Sequence, residues 1–243
     1  MIAKLLIMLI LIKGLAVAQV SNPTLLGAER VFATANTIAV SDAVTPSDNA
    51  LLMLVFSHRT TSDLSLLTVV DTYANSGAWT IIEGTREAAQ ADYSFAYSIV
   101  SGSPGSGAIT ATLSGAADRS VCTFFQVTGY NATPILQGVY DSVGTASTMS
   151  AVLPSGVTGG SKTISFVSNR GTTTGITPGT NETELSDTTS GGTSSMRLEI
   201  QYSSDQTHNW TTLTGGGSHS GGIIEIQQAA AVGGKRRVVV VSE

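Results

Sequence analysis

Past its first few dozen residues the chain writes the same succession of strand-sized runs twice. Asn49 to His58 (NALLMLVFSH), Tyr93 to Val100 (YSFAYSIV), Ala108 to Ser114 (AITATLS) and Ser120 to Tyr130 (SVCTFFQVTGY) come first. They are answered by Ser161 to Arg170 (SKTISFVSNR), Met196 to Ser203 (MRLEIQYS), Asn209 to Thr214 (NWTTLT) and Ser220 to Gln228 (SGGIIEIQQ). Order, spacing and polar punctuation agree, so the economical reading is one sheet-on-sheet body whose halves complete each other's core. The fold class predicted is all-β: a two-sheet antiparallel sandwich, jelly-roll-like, built from two similar four-strand halves across residues 27–231.

The runs support strands in detail. Asn49 to His58 is almost continuously apolar, as a strand covered on both faces is. Tyr93, Phe95, Tyr97 and Ile99 alternate with Ser94, Ala96 and Ser98, which predicts a half-exposed strand. Leu198, Ile200 and Tyr202 form a comparable inward row. Thr172 to Ser195 reads as a long polar loop with one short strand near Glu182 to Leu185. Trp79, behind a Gly-Ala turn, reads as a core anchor. With only 12% charged residues and 26 glycines, the surface rests on hydroxyls and backbone, which suits sheets better than helices.

Two end segments stand apart. Residues 1–18 carry Lys4, an apolar run from Leu5 to Ile12 and a small-residue site at Ala16-Val17-Ala18. This is either a secretory signal peptide or a retained assembly arm, and it is too short for a stable membrane span. Residues 232–243 combine Gly233-Gly234, the basic run Lys235 to Arg237 and Val238 to Val241. Leu5, Ile7 and Leu9 at one end and Val238, Val239, Val240 and Val241 at the other are the candidate assembly contacts, the valines forming either a last strand of the chain or a strand added to a neighbouring sheet.

Function classes narrow by elimination. A net charge of −5, with no basic run outside Lys235 to Arg237, leaves no footprint for nucleic acid. His58, His208 and His219 lie scattered among hydroxyl residues without ligand spacing, and read as surface or turn histidines rather than a metal set. No catalytic constellation, cofactor motif or nucleophile elbow stands out. The single Cys122 makes no intrachain disulfide and reads as a small buried residue. Tyr130, Tyr140, Tyr202 and Trp210 are the aromatics expected at the surface, where they would stack on carbohydrate.

Asp48-Asn49-Ala50-Leu51-Leu52, Gly77-Ala78-Trp79-Thr80, Tyr97-Ser98-Ile99-Val100 and Phe125-Gln126-Val127-Thr128-Gly129-Tyr130 together resemble a widespread β-sandwich module with "GDLLV", "GWT", "YYK" and "YSGV" strands. Ile224 to Gln227 stands where that module has its closing "ALR" strand. Asn49 replaces its usual Gly-Asp pair. Such modules occur in tailed-phage and prophage structural proteins and in bacterial surface or secreted proteins. The resemblance implies a structural or adhesive role and transfers no active-site residue. The expectation is a non-enzymatic virion protein (capsid decoration, fibre or tail-associated) whose partners are further copies of itself or other virion proteins. The alternative is a secreted carbohydrate-binding or adhesin module.

Overall fold

The computed structural model describes residues 19–59, 64–83, 92–143, 146–170, 175–191, 195–211, 213 and 218–230. Over these residues the chain is all-β, with antiparallel sheets that do not close into a barrel. The first half supplies β1 (Thr24–Leu25), β2 (Arg30–Ala39), β3 (Leu51–Arg59), β4 (Leu66–Asp71), β5 (Thr80–Glu83), β6 (Asp92–Ile99) and β7 (Ile109–Val127). The second supplies β8 (Tyr130–Val143), β9 (Met149–Val152), β10 (Lys162–Arg170), β11 (Thr177–Pro178), β12 (Thr183–Thr189), β13 (Met196–Ser203), β14 (Thr207–Thr211) and β15 (His219–Gln228). No helix among the described residues is long and apolar enough to cross a membrane.

Strand pairing reveals how deep the duplication runs. The second half forms one sheet in the order β12-β13-β10-β15-β8 and a smaller one in the order β11-β14-β9. The first half repeats both patterns within one continuous sheet. There β5-β6-β3-β7 is flanked by the start of β2, while the first part of β7 lies between β4 and the end of β2. Counted in chain order, each half thus pairs its strands 1-8-3-6 in one layer and 2-7-4 in the other. That is the order of a jelly roll, except that the fifth strand joins the sixth. The expected pair of sheets forms the centre of the molecule, and each central sheet carries a further layer on its outside.

Three cores follow from four layers. Leu52, Leu54, Phe56, Ala96, Ile109 and Phe124 belong to the core inside the first half, and Met149, Val167, Trp210 and Ile223 to the core inside the second. Between the halves lies a shared core that includes Met53, Val55, Phe95, Phe125, Ile164, Phe166, Leu198 and Ile224. This layering explains why β3 and β10 are buried along nearly their whole length. It also corrects the half-exposed reading of β6. Ser94, Ala96 and Ser98 are as buried as the aromatic row, because the outer layer covers them. In the polar stretch Thr172 to Ser195, β12 stands where the short strand near Glu182 to Leu185 is expected, and runs longer, and β11 is a second strand. The threonines and serines of this stretch serve an edge strand as well as a turn.

The pairing registers make Met53 equivalent to Ile164, Val55 to Phe166 and Ser57 to Ser168. The two halves meet through the same face of the same sheet, which is the arrangement of an approximate two-fold axis. The hydroxyls of Ser57 and Ser168 meet at 2.6 Å.

Both central strands start at one pole of the molecule. There the Val20 amide donates to Gly160 O (3.1 Å), Ser21 N to Thr128 O (2.9 Å) and Ala229 N to Gly129 O (2.9 Å). The chain crosses between halves at this pole through Gly129, whose φ of 77° and approach to Gln19 leave no room for a Cβ. Arg59 and Arg170 end the same strands at the opposite pole.

Candidate functional site

The interior of the second half is where chemistry-bearing side chains gather. Residues that point away from the shared core on β10, β13 and β15 are Thr163, Ser165, Asn169, Arg197, Glu199, Gln201 and Glu225, all buried. Strand alternation puts them there: Ile164, Phe166, Leu198, Ile200 and Ile224 occupy the other face.

Most of these groups are tied to one another. His208, on β14, has Nε2 at 2.8 Å from Thr163 Oγ1 and 2.9 Å from Ser203 Oγ, and Nδ1 at 2.5 Å from Ser165 Oγ. Burial among hydroxyls holds its imidazole neutral and brings its pKa down to about 4. Trp210 Nε1 donates to Glu199 Oε2 at 2.5 Å. Burial raises the Glu199 pKa well above the usual carboxylate range against that hydrogen bond, and Asp187, Glu184 and Glu182 push it the same way. Arg197 grips Asp187 with two nitrogens in a fork, and the Ile176 amide donates to the same carboxylate at 3.3 Å. Asn169 lies between Arg197 and His219 in register, and neither of its amide atoms has a partner among the described residues.

Outside this interior, the three-stranded sheet β11-β14-β9 carries a groove of about 530 Å³. Its lining is uncharged. Thr148, Ser150, Thr180, Asn209 and Thr211 supply hydroxyls and an amide, with Met149 and Trp210 beneath. Glu182 braces one side, accepting from Gly179 N at 2.5 Å and Asn209 N at 2.9 Å. Gly179 is required there, because a Cβ would fall 2.2 Å from Glu182 Oε2. A carboxylate engaged in this way fixes backbone and is not presented to a ligand.

The four aromatics expected at the surface do not form a stacking platform. Trp210 is 0% exposed, since β14 turns Asn209 and Thr211 outward and the indole inward onto Glu199. Trp79 is half-buried at the margin of the first core, its indole N–H on Asp71 Oδ2 at 2.7 Å. Tyr130, Tyr140 and Tyr202 are half-buried against the shared core. Tyr140 faces Tyr93 with ring centroids 6.2 Å apart, and burial lifts its phenol to about 12. Tyr202 on β13 is three strands from β8, roughly 14 Å across the sheet. Tyr130 and Tyr140 are ten residues apart on β8, roughly 30 Å along it.

The histidines also depart from expectation: His58, His208 and His219 are all buried, at inward-facing positions among serines and threonines. On β14, Thr207-His208-Asn209-Trp210-Thr211 carried the signal, an alternation that puts His208 and Trp210 on one inward face and that hydropathy alone does not detect. Among the described residues no group of three or more His, Cys, Asp or Glu is arranged to hold a metal ion. Cys122 is buried, and burial raises its thiol to about 12. The candidate assembly contacts Leu5, Ile7, Leu9 and Val238 to Val241 lie outside the described residues.

Comparison with protein-family models, with curated proteins and with solved structures gives no match.

Proposed function

We propose that the chain is a non-enzymatic structural protein that assembles through its terminal segments and projects the double sandwich outward, as a decorating, fibre or tail-associated component of a phage virion. The observation that carries this reading is the polarity of the body. Val20, Ser21 and Ala229, the residues nearest in sequence to the two segments predicted to make assembly contacts, are hydrogen-bonded into the same pole. The acids and imidazoles that would serve a reaction are instead engaged in holding strands. Glu182 binds two backbone amides, Asp187 binds Arg197, Glu199 binds Trp210, and Glu225 accepts from Gln137 (2.5 Å) and Thr158 N (2.8 Å).

The test compares the full chain with a 19–230 truncation by light scattering and electron microscopy. Defined oligomers from the full chain and a monomeric, still β-rich truncation are expected. A full chain that stays monomeric at every concentration, or a truncation that assembles equally well, overturns the reading.

The uncharged groove over β9 and β14 favours a second reading, an adhesin or carbohydrate-binding module. Its size is within the range of small-ligand sites, roughly 300–1,000 Å³, and its hydroxyls and amide match a neutral polyhydroxylated ligand. Titration with neutral oligosaccharides checks it. Binding that Asn209→Ala abolishes supports this reading; no binding at millimolar ligand removes it.

A further inference from the structure

At the pole opposite Val20 and Ala229, the two central strands finish in arginines. Arg59 and Arg170 occupy equivalent positions, each two residues beyond the serines that meet at 2.6 Å, and each on the face turned to the other half. Arg119 stands directly across the ladder from Arg59. Like charges placed opposite one another on neighbouring strands are destabilising, and here a third is added from the other half. Arg59 is close enough to Arg170 to lower its pKa, behind the effect of burial.

The chain has only 12 basic residues, so three at one place are a concentration of charge. Among the described residues none of the three makes an ion pair, whereas Arg30 and Arg197 are paired with Asp42 and Asp187. Beside Arg59 and Arg119 opens a polar cleft of about 230 Å³, lined by these two arginines, Asp118 and Thr34. Thr34 has a φ of 46°, an outlier for a β-branched residue, beside the point where the register of β2 on β7 slips. Strain of this kind collects at ligand sites. With Asp118 included, the site keeps a net charge of +2 from four formal charges, and its guanidinium forks suit oxygen anions.

We propose that Arg59, Arg119 and Arg170 form a binding site for a tetrahedral oxyanion, sulfate or phosphate, at the junction of the two sandwiches. The bound anion joins the halves, since Arg59 and Arg119 come from one and Arg170 from the other. Asp118 opposes it and sets its affinity.

Thermal unfolding of the full chain in sodium sulfate, sodium phosphate and sodium chloride at matched ionic strength tests this. A saturable rise in Tm with sulfate or phosphate, absent with chloride, is expected. Arg59→Gln should abolish it, and Asp118→Asn should move the half-saturating concentration several-fold lower. Arg59→Lys keeps the charge but loses the fork, so the midpoint should shift about tenfold higher with Tm in chloride unchanged. That variant decides the matter if Arg59→Gln fails to fold. A sulfated oligosaccharide provides the last arm. Half-saturation at least tenfold below inorganic sulfate identifies a polymer-borne anion, equal half-saturation a free one, and both uphold the site. Equal shifts in sulfate and chloride, or a sulfate midpoint indifferent to both Arg59 variants, mean an adventitious ion only and overturn it.

Discussion

Two interiors built on one strand plan are filled differently, the second with many more polar side chains. Inside the first sandwich, β3 and β6 contribute Leu52, Leu54, Phe56 and Ala96. At the equivalent positions of the second, β10 and β13 contribute Thr163, Ser165, Val167 and Gln201, all buried. The face each sheet turns to the shared core is apolar in both halves. Pairing order alone therefore does not require an apolar inner face. What it favours is that the polar groups that enter are hydrogen-bonded, as most here are and Asn169 is not, since an unbonded buried polar group costs a few kcal/mol. His208 meets three hydroxyls, Trp210 meets Glu199, and Arg197 meets Asp187.

The sharpest way to break this comparison is a pair of equivalent truncations followed by urea unfolding. Leu54→Ala should cost about 2–5 kcal/mol through lost burial and a residual cavity. Ser165→Ala removes one hydroxyl from His208 and should cost about 1–3 kcal/mol. If Ser165→Ala proves the more damaging, the polar interior is the mechanical centre of the molecule and the first is secondary.

Acid should act on the second interior through His208. Its folded pKa lies near 4 against 6.5 for an unperturbed imidazole, so between those values the unfolded chain binds more protons. The contribution is complete above pH 6.5 and lost as pH falls toward 4, and integrates to roughly 3 kcal/mol. A stability profile from pH 7 to 4 that is no flatter for His208→Gln than for the parent rules this out.

Glu199 works with the opposite sign. Its folded pKa is raised, so the folded state keeps a proton that the unfolded state releases above about 4.5, and stability falls as pH rises from there. Glu199→Gln mimics the protonated acid and should gain on the parent between pH 4.5 and neutrality. A loss over that interval would mean that Glu199 is ionised in the fold. The smallest effect concerns Cys122, where the first interior has a thiol and the second has Gly221. Native protein should resist a thiol reagent at pH 8 and react fully in urea, as mass spectrometry of the adduct would show.

The faces legible in sequence are those that meet at the shared core. Tyr93, Phe95, Tyr97 and Ile99, and later Leu198, Ile200 and Tyr202, alternate against small or polar residues, and their order gives the duplication. The inner face of the second sandwich was hidden because Glu199, Gln201 and Thr163 look like solvent-facing partners in such an alternation. The same disguise placed Trp210 at the surface. A residue's face follows from its period, whereas whether that face is wet depends on a layer that arrives from elsewhere in the chain. The arginine junction was hidden for a related reason, since Arg59, Arg119 and Arg170 are brought together only by pairing and by the packing of two halves.

The long strand β7 gives the two halves a different grain. It runs for 19 residues through both layers of the first sandwich, paired with β2 and β4 and then with β3. In the second, the corresponding work is divided between β14 and β15, which are separate strands in separate sheets. Layers threaded by one continuous strand open together, and layers linked by turns and side chains open more independently. Amide protons of the first half should therefore exchange in one slow class. Those of β9, β11 and β14 should exchange ahead of β10 and β13, so the wall carrying the groove is the hinged panel of an otherwise welded box.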